Sequence, residues 1–425
     1  MREKGFTMTD RTEQQTDADK MMIQTSAKAT SHSRLVFIDN LKAALIILVV
    51  VEHFAVMYSD NIAFFQAKPV DTLALLVLVL FQLLSLGYFM GLFFLISGYF
   101  TPKSFDHKGA KLYLRDRLLR LGIPTLIYMF ILNPIAAIIL TQTPGTFIKM
   151  TTLPIWQQYI QFIGIGSMWF AIMLLIFECG YVAWRMVAKR WANRVADPIA
   201  WPHFGVIFAF ILVLALTSYL VRIAWPLGKI VFGFPSLAYV PQYLSLFLIG
   251  IVASRNNWLR TWPESMGKRG FWLALVGTLI LLPIALNGQL GTLILFPAAI
   301  SGQLGTLDGF LGSGTWQSGV YALWDSSFCV GICLFLITFF RRFIDSPGRL
   351  GKFLSQQAFT VYVIHIPIVI FVTLALYSLH IELLLRFGLA AAIGVPLCFS
   401  AAYLVRKIPL ADKIVAKSRD KYRMS

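Results

Sequence analysis

Lys42, Glu52 and His53 lie in a stretch, LKAALIILVVVEHFAVMY (residues 41–58), that is otherwise apolar, and their types suit chemistry. An imidazole takes up and returns a proton near neutral pH, a carboxylate can orient it, and a cation can bind phosphate. On a helix turning about 100° per residue, Lys42 and His53 are eleven residues apart and project within about 20° of each other. Asp39, fourteen residues before His53, falls within about 40° of the same face. Glu52 points about 100° away from His53, so these two neighbours are not expected to line one narrow groove. At about 1.5 Å per residue, Lys42 and His53 are about 16 Å apart along the axis, joining one membrane boundary to a point in the far half. A charge in lipid costs at least about 2.5–3.5 kcal/mol, so such groups face a cavity or a partner. The competing structural explanations are an interhelical hydrogen bond for His53, a buried pair for Glu52 and snorkelling to headgroups for Lys42.

The element that must position these residues is a membrane helix, and composition supplies it. The 425 residues are 58% hydrophobic and 13% charged, with a mean hydropathy of +0.72, which excludes an ordinary soluble domain. Apolar windows of about 18–25 residues recur, and no alternating short strands suggest a barrel. Ten spans are predicted, at about 35–58, 72–100, 122–141, 167–187, 204–224, 237–254, 270–287, 318–340, 358–378 and 384–405. Gly87, Gly91, Ser97 and Gly98 predict a tilt or break in the second. Of 37 Lys and Arg, 32 fall on one side of this layout, including the run 102–120, which puts both termini in the cytoplasm. That distribution also accounts for the net charge of +17 without nucleic acid as a partner, through topology and contact with anionic membrane lipids. Residues 1–33 are polar with no apolar core and read as a disordered cytoplasmic tail; residues 406–425 form a basic one. Residues 34–405 form the membrane domain between them.

Cys179, Cys329, Cys333 and Cys398 all lie in apolar segments and suggest packing, with no disulfide framework and no metal set. Two outer connections are long, about 142–166 and 288–317, and the second repeats GQLGTL. No P-loop, dinucleotide fingerprint, HExxH or GxSxG elbow occurs in a supporting context. Glu178 sits ten residues into apolar sequence, with Arg185 two turns later free to snorkel. Asp325 near the outer start of span eight is placed either to meet sugar hydroxyls or to cap the helix. Arg222, at the outer end of span five, is placed to meet an anionic lipid or an acceptor. Tyr362 and His365 share a helix face, where an interhelical hydrogen bond competes with a place in a cavity wall.

The order RLVFIDNLKAALIILVVVEH, FFLISGYF, RDRLLRLGIP, SMWF and YVIHIP resembles the integral-membrane acyltransferase type 3 family, from about Arg34 to Arg406. That family includes bacterial O-antigen and peptidoglycan O-acetylases and the succinyl-transferring enzyme of periplasmic glucans. Its basic-x10-His pattern falls on Lys42 and His53, with lysine where arginine is usual; lysine keeps the charge and loses the planar fork. Arg34 and Asp39 match the R-x4-D opening, Ser97 and Gly98 the FF-x-x-SG stretch, and Arg117 and Arg120 the cytoplasmic R-x-x-R pair. Trp169 matches the start of span four, and Tyr362 with His365 the late Y-x-x-H.

The resemblance implies a ten-span inner-membrane O-acyltransferase. Acyl-CoA, acetyl-CoA foremost, would be its cytoplasmic donor substrate, with no tightly bound cofactor. The acceptor would be a hydroxyl of an extracytoplasmic glycan or glycolipid. His53 would be general base, with an acyl-histidine relay as the second option, and Glu52 and Asp39 would belong to the same catalytic face. Lys42, Arg34, Arg117 and Arg120 would hold the donor; the i, i+3 spacing of the last two puts both on one helix face, suited to phosphate. Trp169, Asp325, Tyr362 and His365 would lie on the acceptor side. No secreted domain follows the last span, which leaves a role for a partner protein in final transfer. The alternative class is a transporter of a sugar, lipid or ion in which His53, Glu52 and Glu178 relay protons. A scaffold or sensor without chemistry would tolerate substitution at Lys42 and His53.

Overall fold

The computed structural model describes residues 35–59, 72–142, 153–188, 199–234, 237–286, 311–346 and 348–408. Among these, nine helical runs are long and apolar enough to cross a membrane, and there is no strand. The chain is an all-α polytopic membrane bundle, the architecture that satisfies every backbone group within its own helix.

The bundle opens with α1 (Val36–Ser59), α2 (Thr72–Leu86) and α3 (Phe89–Arg117). The last two belong to one run, Thr72–Gln142, of 71 residues, far longer than one crossing needs. The predicted break in the second span is present at Gly87 and Tyr88, between α2 and α3. A sharper one lies at Gly109, whose φ of 71° suits glycine alone. Across it the Tyr113 hydroxyl donates to Thr101 Oγ1 over 3.4 Å, and the Phe105 and Tyr113 rings are 5.8 Å apart. On a straight helix, residues 101 and 113 would be about 18 Å apart. The chain therefore doubles back at Gly109, and a Lys108–Asp116 ion pair of 2.5 Å closes the hairpin. The run then continues through two π-type turns, Leu118–Gly122 and Tyr128–Leu132, into α4 (Asn133–Gln142). It thus contains two crossings, and the total reaches the ten expected from hydropathy.

A short α5 (Ile155–Gln161) precedes α6 (Trp169–Val187), α7 (Phe204–Ala224) and α8 (Val240–Arg255). The last four long helices are α9 (Glu264–Ala285), α10 (Trp316–Phe343), α11 (Arg349–Ala375) and α12 (Leu383–Lys407). Residues 143–152 and 287–310, which make up much of the two long outer connections and include the GQLGTL repeat, lie outside the described residues.

Helices α1, α10 and α11 form the middle of the bundle, with 61%, 67% and 56% of their apolar windows buried, against 28% for α7 and 22% for α9. α3 and α8 approach backbone to backbone: a side chain at Gly98 would strike Phe247, and one at Gly250 would strike the Leu95 carbonyl. Small residues at such crossings are how membrane helices pack without a hydrophobic driving force between them.

α1 and α11 run parallel. At one end the Phe37 amide donates to Asp345 Oδ1 over 3.0 Å and Asn40 Nδ2 donates to the Ile344 carbonyl over 2.8 Å, just before α11 begins. At the other end His53 meets His365. That register makes the α1–α11 seam the frame of the polar groups.

Candidate active site

His53 lies in the second half of α1 with its side chain 28% exposed, beside a Glu52 that is almost fully buried. Its Nδ1 is 2.8 Å from the Val49 carbonyl, one turn back, and 3.3 Å from Glu52 Oε2. A carbonyl only accepts, so Nδ1 carries the hydrogen and the neutral ring keeps its lone pair on Nε2. Glu52 and His53 project about 100° apart and nevertheless touch. The Cα directions differ as predicted, but the glutamate stem is long enough to swing its carboxylate to the neighbouring ring.

The His53 ring meets that of His365 edge to face, with centroids 4.7 Å apart and planes at 80°. His365 is fully buried, and its Nδ1 donates to the Tyr362 carbonyl over 2.7 Å within α11. Its hydrogen bond is thus within its own helix, not between helices as one reading of the sequence had it, and its Nε2 has no partner. Tyr362 stacks on His365 at 6.1 Å, as their shared face predicts, and its hydroxyl donates to the Ser167 carbonyl over 2.6 Å. This bond ties the beginning of α6 to the imidazole pair. Trp169, the first residue of α6, stacks on Tyr243 of α8 at 5.7 Å, next to Phe170, which meets Tyr362.

The cations approach from the other end of α1. Lys42 lies 3.7 Å from Asp39 and 4.3 Å above the Phe100 ring of α3. Arg117, after the hairpin, places Nε 3.2 Å from a fully buried Glu178 on α6 and its guanidinium 5.1 Å from the Tyr113 ring. Arg120 sits 5.5 Å over Phe359 of α11. Phe359 precedes His365 by six residues, about 9 Å along the helix, so Arg120 stands at a depth between Lys42 and His53. The two arginines face one neighbourhood, as their i, i+3 spacing predicts: both guanidinium groups act on the buried Glu178 carboxylate of α6. The π-type turn Leu118–Gly122 begins directly after Arg117, and Arg120 within it reaches Phe359 of α11 as well. Arg34 lies outside the described residues.

Two further clusters were not legible as clusters. Asp106 on the hairpin joins Arg185 of α6 at 2.9 Å and Arg255 of α8 at 2.6 Å, so Arg185 serves Asp106 while Glu178 serves Arg117. The signal available was two acids, Asp106 and Asp116, within a basic run. In the second cluster, Asp325 pairs with Arg222 at 2.6 Å, both fully buried, and the guanidinium lies 5.2 Å from each of the Tyr239 and Tyr321 rings. Asp325 is therefore no helix cap: α10 begins at Trp316, and Thr315 caps it. Arg222 likewise does not face lipid. Stacked Tyr239 and Tyr243 link this pair to Trp169. Among the described residues there is no cluster of metal-ligating side chains.

The fold and the site together define a polytopic helical membrane protein with imidazoles on a central seam and cations towards one end of it. A family model for the acyltransferase domain of the type 3 class matches residues 35–403. The chain belongs to that family and is a membrane acyltransferase. Comparison with curated proteins and with solved structures finds no match.

Proposed function

We propose that this protein takes an acyl group, acetyl foremost, from acyl-CoA on the cytoplasmic face and delivers it to a hydroxyl of a glycan or glycolipid outside the inner membrane. The observation that carries this reading is the polar seam itself, with cations at one end and His53 about 16 Å further along α1. CoA phosphates stay with Lys42, Arg117 and Arg120, while the pantetheine arm, which carries no charge, enters the bundle and presents its thioester to His53.

His53 Nε2 removes the proton of the acceptor hydroxyl as the oxygen attacks the thioester carbonyl. The carbon–sulfur bond then breaks, and the thiolate takes that proton from the imidazolium. Val49 and Glu52 hold Nδ1–H throughout, which keeps Nε2 as the reacting atom and places negative charge beside the imidazolium. Trp169 and Tyr362 border the acceptor side, and Asp325 belongs there as well if its pair with Arg222 opens to sugar. Both termini lie in the cytoplasm, and a partner protein completes transfer where the final acceptor is remote from the membrane.

The test uses the full chain in lipid nanodiscs with radiolabelled acetyl-CoA and extracted cell-envelope glycans. Label moves to glycan with wild type, His53→Ala binds acetyl-CoA without transfer, and Arg117→Ala binds it weakly. Glycan that crosses the membrane without label, and no binding of acetyl-CoA or succinyl-CoA, would overturn the reading in favour of a transporter.

A further inference from the structure

The mechanism above leaves one buried group unused. His365 Nε2 is enclosed in the bundle, carries a lone pair because Nδ1–H is committed to the Tyr362 carbonyl, and has no hydrogen-bond partner. A buried acceptor left unpaired is uncommon enough to need an explanation. The titratable side chain packed against its ring is His53, Tyr362 stacks on it within α11, and Glu52 lies on the Nδ1 side of His53.

In the resting state both imidazoles present a lone pair at Nε2, so neither has a hydrogen to offer the other. When His53 takes a proton from the acceptor, its Nε2 becomes a charged donor. With centroids 4.7 Å apart and each ring nitrogen about 1 Å from its centroid, the two rings are close enough for nitrogens turned towards each other to hydrogen-bond. We propose that His365 is a positioning residue that accepts a hydrogen bond from protonated His53 and so holds the proton between its removal from the acceptor and its delivery to the thiolate. This rests on the acyl-transfer reading. The balance is unchanged: one proton leaves the hydroxyl, resides on His53 while shared with His365, and ends on sulfur.

The role explains why the second imidazole is deep and neutral. A solvated acceptor would exchange its bond with water, whereas an enclosed one is empty until His53 is charged. It also explains the Tyr362–Ser167 bond, which anchors the α11 turn that aims His365.

The experiment compares His365→Leu, which removes the acceptor, with His365→Gln, whose Oε1 supplies one, in full-length protein in nanodiscs. In His365→Leu, kcat for label transfer falls by about tenfold to a hundredfold, the worth of a hydrogen bond to a charged group. KM for acetyl-CoA and the thermal midpoint stay near wild type, and His365→Gln restores most of the rate. Full kcat in His365→Leu overturns the inference, as does an equal fall in both variants accompanied by a lower thermal midpoint. A wild type inactive with both acetyl-CoA and succinyl-CoA overturns the acyl-transfer reading, and this inference with it; the two failures are therefore distinct.

Discussion

The seam between α1 and α11 and the Arg222–Asp325 cluster are both polar regions in an apolar bundle, yet they are built on opposite plans. In the seam, charge is spread out and partly open: Lys42, Arg117 and His53 side chains are 30%, 19% and 28% exposed, Lys42, Arg117 and Arg120 rest on aromatic faces, and Arg117 is anchored by a buried acid, Glu178. In the cluster, a guanidinium and a carboxylate neutralise each other at 2.6 Å with no exposure, between two tyrosine rings. A partly open cation retains free energy of interaction for an arriving anion, whereas a closed pair has already spent it. The first plan suits a substrate path and the second a joint between α7 and α10. Residue type does not separate them; partner and access do.

The largest expected effect breaks the closed region. Asp325→Leu strands a buried guanidinium and should cost about 3–5 kcal/mol, read as a lower thermal midpoint and a lost folded yield in nanodiscs. Arg222→Met with Asp325→Leu should recover most of that stability. If the recovered double variant transfers label at the wild-type rate, the cluster is a joint alone; if it folds but no longer uses the acceptor, Asp325 belongs to the substrate path.

His53→Ala gives the mirror image, a rate loss of about 10²–10⁴-fold at a nearly unchanged thermal midpoint, measured by single-turnover label transfer. A large stability loss there would erase the contrast between the two regions. Next in size is Glu178→Gln. Arg117→Ala should weaken acetyl-CoA binding by about tenfold or more, while Glu178→Gln, which keeps Arg117 and loosens only its anchor, should weaken it several-fold by the same equilibrium measurement. Equal effects would mean that Glu178 holds the whole segment and not one side chain. The smallest effect belongs to Asp106→Asn. Asp106 and Arg255 are more than a third exposed, so stability should change by about 1 kcal/mol or less, and added salt should produce a similar loss in wild type.

Much of the architecture was legible because membrane insertion reads local sequence. Windows such as 204–224 and 384–405 are apolar along their length and agree with α7 and α12 to within a few residues. The face shared by Tyr362 and His365 followed from helical period alone, and both rings are found together. The same period put Arg117 and Arg120 on one face, and both act on Glu178, although no residue in RDRLLRLGIP announces the π-type turn that begins between them. Period is silent on the contact between Glu52 and His53, where side-chain reach brings the carboxylate to the neighbouring ring.

The sequence by itself determined that this is a multi-span membrane protein with its basic residues gathered at one side, that an acid and an imidazole are embedded in its first helix, and which family's motifs it carries. These are properties of composition, period and order, which survive without knowing a single long-range contact. Only the tertiary structure decided which charges are partners. Glu178 could have served Arg185 or Arg117, Asp325 a sugar or Arg222, and His365 a neighbouring helix or its own. In lipid each choice is enforced by the cost of leaving a charge or a polar atom unmet, and that cost is settled by which helices pack together.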